Sequence, residues 1–313
     1  MNAIAERLEI RELARRFAQG DIRPHVQGWE RAGDLDDAVF RKLAELGFLG
    51  MRVPEPQGGL GFDAATYVTV LEELAWGDAA LALSVAIHCG PVSSMLLTHG
   101  SEPQRSAWLP KLASGEVLGA FALSEAGAGS DPSSMETRAE RDGDGWRLTG
   151  TKRWVTNGRR AGLVVVFARS GPGGVSAFLV DPGSDGYRVG GREKTMGLKA
   201  SETVDVELDG VRVGPESLLG REGKGLACAL EAVDVGRVGI AAQAVGIGRA
   251  AMDHALAYAI ERRQFGQALA DFGATRAKLA EMHRRLEGAR ALALRAAEAL
   301  DAGAEGRSRT GPD

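Results

Sequence analysis

FALSEAGAGSD, residues 121–131, and GTKRWVTNG, residues 150–158, bracket the stretch on which the reading of this chain turns. Between them ETRAERDGDGWRLTG (residues 136–150) reads as a strand, a tight turn and a second strand. Small residues at Gly127, Ala128, Gly129 and Ser130 let a bulky ligand lie against the backbone, with N–H groups free to meet anionic oxygens. In an extended KRWVTNG, Trp154 and Thr156 share a face, because alternate strand residues point the same way. An indole beside a hydroxyl suits a flat heteroaromatic ring that also needs a hydrogen bond. On Gly127 and Gly129 alone the plainer reading prevails: a β-hairpin with a glycine-rich approach loop and a core tryptophan.

Outward from this stretch the hydrophobic period changes twice. Ile4, Leu8, Ile10, Leu13, Ala14 and Phe17 recur at helical spacing, and Pro24 ends or redirects that helix. Further helices are predicted over Leu35–Leu46, from an Asp63 N-cap through Ala75, over Ala79–Leu97, and over Glu102–Leu112. From Gly119 the period becomes two. Strands are predicted at 119–124, 135–141, 145–149, 152–156, 163–168, 175–180, 187–192 and 203–213, and their regular spacing suggests a small barrel or sandwich. Val204, Val206 and Leu208 alternate with Asp205, Glu207 and Asp209, which predicts one buried and one wet face. After Gly225 the period is helical again, with long helices over Leu226–Arg262 and Ala274–Ala302 and a frayed GAEGRSRTGPD tail. The expected fold class is α+β and multidomain: an N-terminal helical domain (1–118), a middle antiparallel β-barrel or sandwich domain (119–224), and a C-terminal helical bundle (225–313).

Composition narrows the function classes. The 313 residues carry 38 Lys+Arg against 42 Asp+Glu, a net charge of −4, so no strong field favours nucleic acid or a membrane surface. The expectation is a soluble, cytoplasmic protein with no signal peptide, no membrane span and no nucleic-acid partner. Cys89 and Cys228 make no disulfide framework, and neither has metal-ligand spacing. His283 and Glu287 share a helix face but do not make a metal site by themselves. Gly246-Ile-Gly248-Arg-Ala-Ala251 matches a relaxed dinucleotide fingerprint, yet it sits inside a helical pattern, where close helix packing explains it better.

Six motifs then occur in a fixed order. SEAGAGSD and KRWVTNG are followed by GLKASETVDVELDGVRV (197–213), LLGREGKGL (218–226), DVGRVGIAAQAVGIGRAAMDHALAYA (234–259) and ERRQFGQAL (261–269). Together with LAELGFLGMR and VPEPQGGLGFD upstream, the chain from about Ile10 to Ala302 resembles the acyl-CoA dehydrogenase flavoprotein family, nearest to its short-chain and medium-chain branches. That resemblance implies helical, β and helical-bundle domains, a homotetramer or homodimer, and FAD between the β domain and the last bundle. It implies oxidation of an acyl-CoA to the trans-2-enoyl-CoA, with the electrons passed to an electron-transferring flavoprotein. It places Phe121, Leu123, Ser124, Trp154, Val155 and Thr156 along the flavin ring, with Thr156 near N5. Gly129 and Ser130 fall at the pyrophosphate, with Ser130 also near the acyl-CoA. Arg262 falls on the flavin phosphates of a neighbouring subunit, Phe265 among the cofactor-binding residues, and Asp234 and Arg237 on the CoA-thioester channel. Read alone, Arg262 is one more solvated arginine and Asp234/Arg237 a surface ion pair.

The chain departs from the family pattern in two places. Gly273 stands where the family commonly has a glutamine against the adenine half of the flavin. No catalytic base is assigned either. The family glutamate is expected beyond Asp313, and its alternative position, one residue before the arginine of DVGR, is Gly236. The expectation is that part of the last bundle is missing through a shifted frame or truncated gene, and that a chain of this length holds flavin weakly and dehydrogenates little. Competing readings are an acyl-CoA oxidase or flavin monooxygenase-like relative, separated by oxygen consumption, and an inactive subunit.

Overall fold

A computed structural model describes residues 3–171 and 174–309, with side chains for 5–171 and 174–303. The predicted side chain of Ile4 and residues Thr310–Asp313 of the predicted tail lie outside these. The first part is helical: α1 (Ala3–Phe17), α2 (Val26–Ala32), α3 (Asp37–Glu45), α4 (Ala64–Gly77), α5 (Ala79–Ile87), α6 (Ser93–His99) and α7 (Glu102–Ala113). Strands follow: β1 (Leu118–Ala122), β2 (Arg138–Asp142), β3 (Gly145–Thr156), β4 (Ala161–Gly171), β5 (Gly174–Val180), β6 (Tyr187–Arg192), β7 (Thr203–Val213) and β8 (Leu218–Leu219). The chain ends with α8 (Gly225–Glu261), a short hairpin of β9 (Arg263–Gln264) and β10 (Gln267–Ala268), and α9 (Gly273–Arg309). Pro24 redirects the chain as expected, but helix resumes at Val26, because after proline nothing in VQGWERA opposes it. Helix α9 also runs seven residues past the expected stop at Ala302.

The elements form two compact units, Met1–Val26 with Asp63–Leu83 and Val238–Asp313, and Gln27–Phe62 with Ser84–Arg237. In the first, α1 and α9 pack on α4. Asp63 caps α4 as its sequence predicts, accepting from the Thr66 N–H at 2.6 Å. The core of this unit holds charge. Glu73, fully buried, accepts from Arg249 at 2.7 Å and from Arg11 at 2.8 Å, while Glu72 accepts from Arg249 at 2.6 Å and Arg290 at 2.8 Å. Helices α4 and α8 meet at a glycine: a Cβ on Gly246 would lie 2.4 Å from the Glu72 carbonyl oxygen. The fingerprint-like GIGRAA is therefore a helix-packing element.

In the second unit the strands form one sheet in the order β6-β7-β3-β2-β4-β5-β8, with β1 alongside β4. It is not wholly antiparallel: β1 and β2 both pair parallel with β4. Parallel neighbours need long connections, and the chain from β1 reaches its parallel neighbour β4 only after the SEAGAGSD loop and the β2–β3 hairpin. The predicted 136–150 hairpin is present, with Asp142 paired to Gly145 across a two-residue turn in which Gly143 takes φ +67°. Strand β4 is buried on both faces. Leu163, Val165 and Phe167 face the helices through Met95, Leu96, Leu109 and Leu112, whereas Val164, Val166 and Ala168 face a core inside the sheet's own curl. Trp146 of β3 reaches Phe178 of β5 with ring centroids 5.3 Å apart, although two strands separate them in the sheet, so the sheet folds over itself as a sandwich does.

The run from Ala79 to His99 is helical, as its composition predicts. Helices α5 and α6 join through a π-helical turn at His88–Val92 that accommodates Pro91, and the continuous run is long and apolar enough to cross a bilayer by length and composition. Its most apolar window is 78% buried within the protein, as a core helix would be.

Candidate functional site

Strand β1 delivers the chain into a tight turn. The Glu125 N–H donates to the Ala128 carbonyl at 3.0 Å and the Ala128 N–H returns to the Glu125 carbonyl at 3.2 Å. Beneath the turn the Glu125 carboxylate is buried. It accepts from the N–H groups of Glu136 (2.6 Å) and Thr137 (3.1 Å), from the Thr137 hydroxyl (2.5 Å), and from Lys152 Nζ (2.7 Å). Lys152 has no exposed surface and also donates to the Leu123 carbonyl at 3.0 Å. Burial pushes the Lys152 ammonium down to about 8 against the pull of Glu125. Burial alone would raise the Glu125 carboxyl, but Lys152, Thr137 and the Glu136 N–H together hold it below the ordinary carboxylate value. The pair thus fixes both flanks of the glycine loop to β3. Gly127 and Gly129 face open space, with nothing within 4 Å of where a Cβ would stand, and Ser130 is exposed. Among the described residues, the N–H groups of Gly127, Gly129 and Ser130 have no protein acceptor.

The second half of the site departs from simple alternation. Lys152 pairs with Val206 and Val155 with Val204, so three steps on β3 match two on β7. Arg153 and Trp154 together oppose Asp205, which is a β-bulge. Trp154 takes φ +60° and is 49% exposed, although strict alternation would put it on the face of fully buried Lys152. Bulges of this kind re-aim a side chain, and a bulky residue at positive φ is a strained arrangement held by its surroundings. Asn157, also at positive φ (+64°), is buried and donates through Nδ2 to the carbonyls of Ser84 (3.0 Å) and Gly119 (3.1 Å). Among the described residues, the non-glycine residues at positive φ are Trp154, Asn157, Leu198 and Phe265, and all four lie in motif segments singled out by sequence.

The other expected site residues are placed unevenly. Ser124 is half-buried and its carbonyl accepts from the Arg153 N–H at 2.9 Å, which ties the two halves of the site together. Phe121 and Leu123 pack against the helix-facing core, Phe121 with its ring 5.0 Å from that of Phe167, and Val155 is fully buried in the inner core. A ligand over the loop can reach Val155 only through its main chain, because a bulge turns the side chain inward. Thr156 is half-buried at the end of β3. Asp234 and Arg237 form the exposed ion pair that their spacing permits, at 2.5 Å. A Cβ on Gly236 would come within 3.3 Å of Pro91 Cγ, so α8 is close-packed where a side chain at that position would start. Arg262 and Phe265 belong to the other compact unit. Phe265 sits at φ +50° beside Gly266 at +79°, the two left-handed positions of a two-residue hairpin turn, and its ring is 94% exposed.

Sequence reasoning missed Glu125, Lys152, Arg153 and Asn157. The two charges of the buried pair are 27 residues apart in sequence, and nothing local marks them as partners. The one available signal was the lysine itself, standing at a core-facing position of a period-two strand.

Three domain families match the chain: "Acyl-CoA dehydrogenase, N-terminal domain" over residues 5–116, "Acyl-CoA dehydrogenase, middle domain" over 120–211, and "Acyl-CoA dehydrogenase, C-terminal domain" over 223–310. The bovine mitochondrial short-chain specific acyl-CoA dehydrogenase is 38% identical over 296 residues, which are 93% of this chain and 72% of the bovine protein. Butyryl-CoA dehydrogenase from Megasphaera elsdenii superposes with a TM-score of 0.93 at 34% identity, covering 97% of this chain and 81% of that one. Glutaryl-CoA dehydrogenase from Mycobacterium smegmatis, solved in complex with FADH2, gives 0.89 at 33% identity, covering 95% and 76%.

Proposed function

The chain belongs to the acyl-CoA dehydrogenase family, whose members are oxidoreductases, and on that footing we propose that it binds FAD and oxidises the Cα–Cβ bond of an acyl-CoA thioester. The observation that carries this reading is the strained, half-exposed Trp154 held beside the open glycine loop. The donor chemistry fits a flavin. Unpaired N–H groups at Gly127, Gly129 and Ser130 suit a pyrophosphate, the Trp154 indole suits a flat ring, and the Thr156 hydroxyl supplies a hydrogen bond at the ring's edge. When bound, the flavin supplies a two-electron acceptor for the substrate's β hydride.

The chain's own residues orient and exclude. Lys152 and Glu125 keep the glycine loop in place beneath the ligand, while Phe121, Leu123 and Val155 offer main chain and leave their side chains in the cores. Ser130 is shared between the pyrophosphate and the acyl-CoA, and Asp234 and Arg237 line the thioester channel. Arg262 and Phe265 serve the flavin of a neighbouring subunit in a homodimer or homotetramer, where a guanidinium meets phosphate bidentately and the bare Phe265 ring finds cover. The electrons leave to an electron-transferring flavoprotein. None of these residues is assigned as the acceptor of the α proton: Gly236 has no side chain and Asp234 is paired with Arg237.

Reconstituting the purified protein with FAD and adding straight-chain and branched acyl-CoA thioesters without oxygen tests the reading. Bleaching of the oxidised flavin band is expected, slow because none of these site residues is assigned as the base, and reversed by an electron-transferring flavoprotein. Failure to retain FAD, or a flavin that no thioester bleaches, would overturn it, and turnover sustained by oxygen alone would make the protein an oxidase instead.

A further inference from the structure

Two residues of β3 oppose Asp205 across the bulge, and only one of them can claim it. Arg153 does so: its Nε faces Asp205 Oδ1 at 3.0 Å, and its Nη2 donates to Glu193 Oε1 at 2.8 Å. Glu193 follows β6 and is itself fixed, its N–H donating to the Thr203 carbonyl at 2.9 Å. The guanidinium carbon stands 5.9 Å from the centre of the Trp154 ring. One side chain therefore ties the bulge to β7 and to the segment that follows β6 beside it, and Trp154 is left without a cross-strand partner.

A bulge between two buried anchors, here Lys152 and Val155, can in principle place either of its two residues outward. A tryptophan would not choose positive φ by itself, because the left-handed region is unfavourable for bulky side chains. The Arg153 N–H is held by Ser124, but that bond fixes one amide and not which side chain takes the outward place. The contacts that distinguish Arg153 from Trp154 are those of its guanidinium to Asp205 on β7 and to Glu193 after β6.

We propose that Arg153, clamped by Glu193 and Asp205, is the positioning residue that keeps the Trp154 indole raised over the flavin seat. The clamp itself stands on contacts within the protein, and only its consequence for flavin rests on the function proposed above. Released from the clamp, the bulge is free to shift and the indole to leave its place.

Arg153→Met, Asp205→Asn and Glu193→Gln test this, with Arg153→Lys as the conservative variant. The groups are 36%, 21% and 31% exposed on the surface of the sheet, so the single carboxylate variants keep the question open should Arg153→Met not fold. In the flavin-free protein, Trp154 is the most exposed of the tryptophans, and its emission is isolated by subtracting the Trp154→Phe spectrum in each background. Arg153→Met and Asp205→Asn are expected to shift that emission and change its quenching by acrylamide, with Arg153→Lys partly restoring both. In the loaded protein the same variants should release FAD faster, on the order of tenfold. An unchanged Trp154 signal in Arg153→Met and in Asp205→Asn would overturn the clamp. Failure of the wild-type protein to bind FAD would overturn the proposed function instead, leaving the tryptophan measurement to decide the clamp alone.

Discussion

His88 is fully buried beneath the entry to β1, with Nδ1 accepting from the Gly119 N–H at 2.9 Å and Nε2 donating to the carbonyls of Leu49 and Leu112 at 3.1 and 3.2 Å. Both nitrogens are used by the neutral ring, so a second proton has nowhere to go without breaking the bond to β1. Burial pushes its pKa down to about 4 from the ordinary 6.5. The folded chain therefore stays unprotonated over a range in which the unfolded chain takes up a proton, and stability is lost as pH falls from 6.5 towards 4. The loss amounts to about 3 kcal/mol when complete. Histidine NMR titration should find one of the five rings silent above pH 5, and His88→Gln should remove its share of the acid sensitivity in urea unfolding. A full set of rings titrating near 6.5 would contradict this. The same logic makes Cys89 an inert thiol, since burial pushes it up to about 12.

At the scale of elements, two glycines on neighbouring long helices have opposite meanings. Gly246 of α8 lies so close to α4 that a Cβ would sit 2.4 Å from a main-chain oxygen and 2.7 Å from Ala75 Cβ. Gly288 of α9 is exposed, with nothing within 4 Å. Thermal or urea unfolding should find Gly246→Ala destabilised by about 1–3 kcal/mol through forced separation of the helices. Gly288→Ala should gain about 0.5–1 kcal/mol from helix propensity alone. Equal effects at the two sites would mean that helix contact does not govern Gly246. Element type was legible here because period and caps are local: β6 and β7 fall where the two-residue alternation places them, and Asp63 caps α4. The β-bulge at Arg153–Trp154 was not legible, since it is defined only by counting against β7. The β9–β10 hairpin also went unread, because QFGQ gives no alternating run from which to read strands of two residues.

For the molecule, the buried charges of the first unit show how distant segments are held to one geometry. Glu73 on α4 binds Arg249 of α8 and Arg11 of α1, and neighbouring Glu72 binds Arg249 and Arg290 of α9. Burial would raise the Glu73 carboxyl, but Arg249 and Arg11 outweigh it and keep the group ionised below its ordinary value. Arg249→Met leaves that charge buried with one partner fewer, and calorimetry should register a loss of about 3–5 kcal/mol that grows at neutral pH relative to mild acid. A loss within the range of an ordinary surface substitution would show the network to be dispensable. By itself the sequence determined the helix–strand–helix order, the hairpin around Gly143 and the motif order that names the family, because these depend on residues near one another along the chain. Only the tertiary structure decided that Lys152 is buried on Glu125, that Val155 turns inward, and that Trp154 is raised out of the alternation its sequence predicts. Each of these depends on which residue of a distant strand or loop stands opposite. The indole read from KRWVTNG is half-exposed, but a bulge sets against β7 the face that Trp154 presents, and no periodicity within β3 encodes it.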